Sequence, residues 1–195
     1  MPLQPLLDAA TAAAAMADIK PPLAPQEARI EADRCLYCFD APCIMACPTG
    51  IDVPTFIKKI ASGNVTGAAR TILEANVLGA SCARVCPTQV LCEGACVMHD
   101  LEKEPIRIGR LQRFATDHVA GRGIQVLHAP PTKTGTRVAV IGAGPAGLGC
   151  AAELARLGHQ VVVFDKKPAA GGLNTHGIAY YKMRPEVSLD EVRMI

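Results

Sequence analysis

The chain has 195 residues, half of them apolar, yet aromatics make up only 4% and the net charge is +2. Such a balance gives no reason to expect nucleic acid or an anionic membrane as partner. No apolar run reaches the 18 residues a membrane-spanning helix needs, and no Lys or Arg precedes Lys20, as a secretory signal would require; a cytoplasmic protein is expected.

Residues 1–25 read as a Pro- and Ala-rich arm, with a short helix over Asp8–Met16 broken by Pro21, Pro22 and Pro25. From Gln26 the segment QEARIEADR places Ala28 and Ala32 on one helical face and delivers the chain to a dense cysteine run. Cys35, Cys38, Cys43 and Cys47-Pro48 follow C-x2-C-x4-C-x3-C-P spacing. It differs only in the middle gap from a ferredoxin run, whose fourth Cys ligates a second cluster. A second group follows at Cys82, Cys86-Pro87, Cys92 and Cys96. Eight thiols in two groups suit two [4Fe–4S] clusters. Two all-thiolate zinc sites are the competing use, but structural zinc favours Cys pairs with a long gap between them. Disulfides fit less well, because nothing points to an oxidising compartment.

Around these cysteines the sequence predicts helices. Asp52 and Pro54 mark a helix start, with a stripe of Phe56, Ile57 and Ile60 ending at Gly63. A second helix is expected over Ala68–Asn76, with Ile72 and Leu73 inward and Gly79 near its stop. A third starts from Pro105 and runs through Leu111, Phe114, Ala115 and Val119 to Gly121 and Gly123. Residues 26–120 thus read as a helical domain with loops folded round metal, and 121–136 as a linker.

The hydrophobic period then changes. Arg137–Ile141 reads as a strand, Leu148–Leu157 as a helix, and Gln160–Phe164 as a second strand, opening an α/β domain over 137–195. Between the first strand and the helix lies G-x-G-x-x-G: Gly142, Ala143, Gly144, Pro145, Ala146 and Gly147. Gly142 allows the tight turn, Gly144 the approach of a pyrophosphate, and Gly147 the close packing of helix on strand. Asp165, 23 residues after Gly142, ends the second strand where a ribose hydroxyl would need an acceptor. The later Gly171-Gly172-Leu173 resembles the second glycine pair of FAD-binding flavoproteins; its plainer reading is a turn. Cys150 is expected as a packing residue, and His99, His118, His128, His159 and His176 show no ligand spacing.

Several phrases together resemble dihydropyrimidine dehydrogenase, in its N-terminal electron-input region or the NAD-binding subunit of the bacterial two-subunit enzyme. They are Arg34-Cys-Leu-x-Cys-x-Asp-Ala-Pro-Cys, Ala46-Cys-Pro-Thr, Leu78-Gly-Ala-x-Cys-Ala-Arg-Val-Cys-Pro-Thr, Pro105-Ile-x-Ile-Gly-Arg-Leu-Gln-Arg-Phe-Ala-Thr-Asp and the glycine fingerprint. The small subunit of glutamate synthase is a more distant relative with the same plan. The resemblance implies an alpha-helical ferredoxin-like domain binding two [4Fe–4S] clusters, followed by a partial Rossmann-type FAD-binding domain. It implies that NAD(P)H reduces FAD, that the clusters carry the electrons, and that a partner subunit or domain with FMN and iron–sulfur clusters reduces uracil or thymine.

By position, one cluster would be held by Cys35, Cys38, Cys43 and Cys96, and the other by Cys47, Cys86, Cys92 and the amide of Gln112. FAD would be held by residues 142–147, Asp165, Gly172, Leu173 and Lys182. The family has Glu where this chain has Asp165, and Pro and Arg where it has Ala179 and Lys182. No catalytic residue is assigned. Residue spacing by itself would complete the second set with Cys82. The flavin domain reads as the start of a longer one, because no second glycine fingerprint offers a nicotinamide site. Ser188-Leu-Asp-Glu191 reads as a capping box opening a further helix. NAD(P)H would therefore use sequence outside this chain, within a hetero-oligomer.

Overall fold

The computed structural model describes residues 11, 14 and 16–195; the arm helix expected over Asp8–Met16 lies largely outside the described residues. Among the described residues, six helices, with two 3₁₀ turns between the fifth and the sixth, form the first part. They are α1 (Pro25–Asp33), α2 (Pro42–Met45), α3 (Val53–Ala61), α4 (Val65–Ala75), α5 (Gly79–Val85) and α6 (Ile108–Ala120). The second part is β1 (Arg137–Ile141), α7 (Pro145–Arg156), β2 (Gln160–Phe164), α8 (Leu173–His176) and α9 (Pro185–Met194).

Local chemistry explains most helix limits. Asp52 accepts the Thr55 N–H at 3.1 Å and Asn64 accepts the Gly67 N–H at 2.9 Å, so α3 and α4 each begin on a side-chain cap. Their apolar faces, with Phe56, Ile57, Ile60, Ile72 and Leu73, meet Leu111, Ala115 and Val119 of α6 in one core. Ala28 and Ala32 are fully buried on α1, where small side chains bring that helix close to α3 and α6.

Several expectations change. Gly79 does not merely end the preceding helix but opens α5, which carries Cys82. The third predicted helix starts at Ile108 rather than Pro105, because Ile106 is buried and the Arg107 N–H is taken by Glu31 at 2.9 Å. Ser188 and Glu191 lie inside α9, which starts at Pro185; both are buried and bond outward from their helix rather than capping it.

Strands β1 and β2 pair in parallel, Arg137 opposite Gln160 through Ile141 opposite Phe164, with α7 as the crossover. Leu148, Ala151 and Ala152 of α7 face the strands, and Cys150 points the other way. It is exposed, contrary to the packing role expected, because the buried face of α7 is the one that carries Leu148, Ala151 and Ala152. The α/β part docks on the helical part through α9: Glu191 accepts the N–H groups of Ala80 and Ser81 at 2.8 and 2.9 Å, together with the Ser81 hydroxyl. Arg156 adds a bond to the Glu74 carbonyl at 3.1 Å. Val126, within residues 121–136, is buried against the helical core.

Candidate functional site

The cysteines separate into two neighbourhoods. Cys35, Cys38, Cys43 and Cys96 line one cavity together with Val53, Ile57, Met98, Ile106 and Ile108. Helix α1 delivers Cys35, α2 carries Cys43, and the 3₁₀ turn Val97–Leu101 directly follows Cys96. Burial first, and then the charges of Cys35 and Cys96, push the Cys43 thiol up to about 11. Cys35 is raised by burial first and then by Cys38 and Cys96. Thiols crowded this way in an apolar pocket resist ionising singly, and a bound cationic metal core reverses that balance.

The second neighbourhood joins Cys47, Cys82, Cys86 and Cys92. Burial first, and then the charges of Glu93, Cys86 and Cys47, push Cys92 up to about 12. Cys82 rises to about 11 by burial and by the charges of Cys86 and Cys47, against a hydrogen bond from Gln112. Cys47 is the exception. Burial works to raise it, yet the Thr49 hydroxyl and the N–H groups of Ile51, Thr49 and Gly50 bring it below the ordinary thiol value. A sulfur so surrounded by donors is prepared to be a thiolate.

Gln112 lies on α6 and is buried, its Nε2 donating to the Gly79 carbonyl at 2.8 Å. A carbonyl only accepts, so this bond fixes which end of the amide is the nitrogen. The fold therefore brings both Gln112 and Cys82 to the second thiol group. Among the described residues no three Cys, His, Asp or Glu side chains have the arrangement of ligands to one metal ion. The four thiols that line the first cavity have the number and type of donors that one cube takes.

The glycine fingerprint has the geometry its residue types demand. Gly142 has φ +100°, and a Cβ on Gly147 would stand 1.8 Å from the Gly142 carbonyl oxygen. Helix α7 starts at Pro145 with Gly144 as its N-cap, so the fingerprint forms the turn into the helix and its first residues. The second glycine pair is more than a turn. Gly171 donates to the Ala143 carbonyl at 2.7 Å, and a Cβ on Gly172 would lie 2.7 Å from Gly144 Cα. Asp165 accepts the N–H of Ala143 at 2.7 Å and of Lys167 at 2.8 Å, which hold its carboxyl below the ordinary range. Each of its oxygens keeps a lone pair for another donor. Leu173 and Lys182 are exposed nearby in the chain. A cavity of about 500 Å³ lies elsewhere, between Leu73, Arg84, Ile124 and Met194, and no thiol lines it.

Sequence reasoning missed the charged groups that frame these sites. Glu31 bridges Arg34 and Arg107 beside the first cavity. Arg84 and Arg113 both bind Asp117, and Arg113 also binds Asp18, beside the second group. Only the position of Arg84 and Arg113 next to cysteine and glutamine ligand candidates could have drawn notice to them.

Two crowded thiol groups on a helical frame, followed by a fingerprint βαβ unit, define an iron–sulfur domain joined to a nucleotide-binding Rossmann-like segment. The chain belongs to the family described as dihydropyrimidine dehydrogenase domain II, 4Fe–4S cluster, whose model matches residues 12–124. An NAD(P)-binding Rossmann-like model matches residues 140–181. The chain is 46% identical over 174 residues, 89% of its length, to the NAD-dependent dihydropyrimidine dehydrogenase subunit PreT of Salmonella typhimurium, of which this covers 41%. It is 47% identical over 160 residues, 82% of its length, to PreT of Escherichia coli K12, covering 38% of that protein. The glutamate synthase [NADPH] small chain of Halomonas elongata is 40% identical over 179 residues, 92% of this chain and 38% of that one. The chain thus spans about two fifths of the length of these relatives. No helix among the described residues is long and apolar enough to cross a membrane.

Proposed function

We propose that the chain is the electron-input module of a cytoplasmic NAD(P)H-dependent oxidoreductase that reduces uracil or thymine. In this reading it acts in a hetero-oligomer, beside a subunit or domain carrying FMN and iron–sulfur clusters. The observation that carries the reading is the sorting of the cysteines into two neighbourhoods on one helical frame, with the fingerprint segment docked on α5. Cys35, Cys38, Cys43 and Cys96 hold one [4Fe–4S] cluster; Cys47, Cys86, Cys92 and Gln112 hold the other. Bound to this chain, FAD accepts a hydride and releases single electrons, and the clusters carry electrons one at a time.

The chain's own residues prepare these sites. The donors round Cys47 favour its thiolate, and Gly79 fixes the Gln112 amide with its oxygen free. The contact of Gly171 and Gly172 with the fingerprint supports FAD at residues 142–147, Asp165, Gly172, Leu173 and Lys182. The α9–α5 contact supports direct coupling of the flavin and cluster parts. The 40% identity to a glutamate synthase small chain supports a second reading, with a different electron acceptor. Anaerobic purification of the tagged chain from its host tests the choice. A co-purifying pyrimidine-reducing flavoprotein is expected; a glutamate synthase large chain would transfer the assignment to the second reading.

A further inference from the structure

We propose that Lys20 is a positioning residue that raises the reduction potential of the cluster at Cys47, Cys86, Cys92 and Gln112; this rests on the reading above. Its Nζ donates to the Cys86 carbonyl at 3.1 Å, which sets the ammonium on the peptide of that ligand. The ammonium is held there by construction. Arg113 Nη1 grips both the Asp18 carboxylate and the Lys20 carbonyl, and Asp18 in turn accepts the Lys20 N–H at 2.9 Å. Arg113 is buried on α6 next to Gln112.

The surrounding charges leave Lys20 distinct. Arg113 and Arg84 are neutralised by Asp18 and Asp117, whereas Lys20 makes no ion pair among the described residues. Glu93, next in sequence to Cys92, carries the opposite charge, with one oxygen occupied by the Gly109 N–H at 2.9 Å. Accepting an electron there adds one unit of negative charge beside Cys86. A fixed ammonium on that peptide favours the reduced state, and the hydrogen bond steadies the ligand loop.

The test is an electron paramagnetic titration of the full, anaerobically purified chain, with iron content measured on the same samples. Lys20→Gln should lower the equilibrium constant for reduction of one cluster about fivefold, a shift of ~40 mV at 59 mV per tenfold for one electron. The other cluster should not move. Lys20→Arg should keep the wild-type potential, and Lys133→Gln should change neither. Full iron with both potentials unmoved in Lys20→Gln would overturn the inference while leaving the cluster assignment intact. Equal loss of iron in Lys20→Gln and Lys20→Arg would also overturn it, since that marks a packing role. Iron absent from the wild type would instead defeat the reading on which it rests.

Discussion

Replacing Glu31 by Ala tests how the first thiol cavity is held together. Glu31 is only 3% exposed, yet it serves three donors: Arg34 Nη1 at 2.7 Å, Arg107 N–H at 2.9 Å and Arg107 Nη2 at 3.0 Å. Arg34 immediately precedes Cys35, and Arg107 sits between Ile106 and Ile108 of the cavity wall. The carboxylate therefore fastens the end of α1 to the chain entering α6. Removing one partner of a fully buried ion pair costs about 3–5 kcal/mol. Here the arginine side chains are 33% and 48% exposed and regain water, which lowers the figure to about 2–3 kcal/mol. At this chain length that is a fall of roughly 4–12 °C in Tm, read by calorimetry or circular dichroism.

The charge also sets a pH dependence. Burial works to raise the Glu31 carboxyl, but Arg107 and Arg34 hold it below its ordinary 4.5 in the folded state. Its contribution is therefore complete above pH 4.5 and is lost as pH falls through the depressed native value. Glu31→Gln should flatten that part of the acid unfolding profile. A Glu31→Ala protein melting within about 1 °C of wild type would refute the clamp.

Other substitutions probe the remaining contacts. Gly147→Ala should abolish FAD binding, measured by flavin fluorescence quenching, because the added Cβ meets the Gly142 carbonyl oxygen at 1.8 Å. Glu191 is raised by burial against the donors of Ser81 and Ala80, so its contribution is present below pH 4.5 and lost as pH rises through its raised native value. Glu191→Gln, which keeps an acceptor for both backbone N–H groups, should melt no lower than wild type at pH 8. Glu191→Ala should lose about 2–3 kcal/mol in the same assay by leaving those donors unpaired. Gln112→Leu should cost one cluster's iron or alter its paramagnetic spectrum, while Cys82→Ser should retain both clusters; the reverse pattern makes Cys82 the ligand.

Much of the helical frame was legible because its signals are local. The Asp52 cap, the Phe56–Ile57–Ile60 stripe and the glycine fingerprint are each complete within about a dozen residues, and the structure places them as their chemistry requires. Helix α5 was not legible: it has seven residues, opens on Gly79 and stops before Cys86-Pro87, so no full hydrophobic period develops. The pair Ser188 and Glu191 fits a local capping pattern, but Glu191 is used across 110 residues to hold Ala80 and Ser81. Glu31 looked like one more helix-forming charge until the chain from Glu104 to Arg107 was folded against it. The mild spacing of eight cysteines signals two groups, yet their allotment depends on Cys96 returning to the first cavity across more than fifty residues of chain.

The central claim is that these thiols hold iron–sulfur clusters, and metal analysis of the anaerobically purified chain tests it most directly. The account predicts about eight iron and about eight acid-labile sulfide per chain in a brown protein, since each of two cubes contains four of each. A colourless protein with about two zinc ions and no labile sulfide would contradict it.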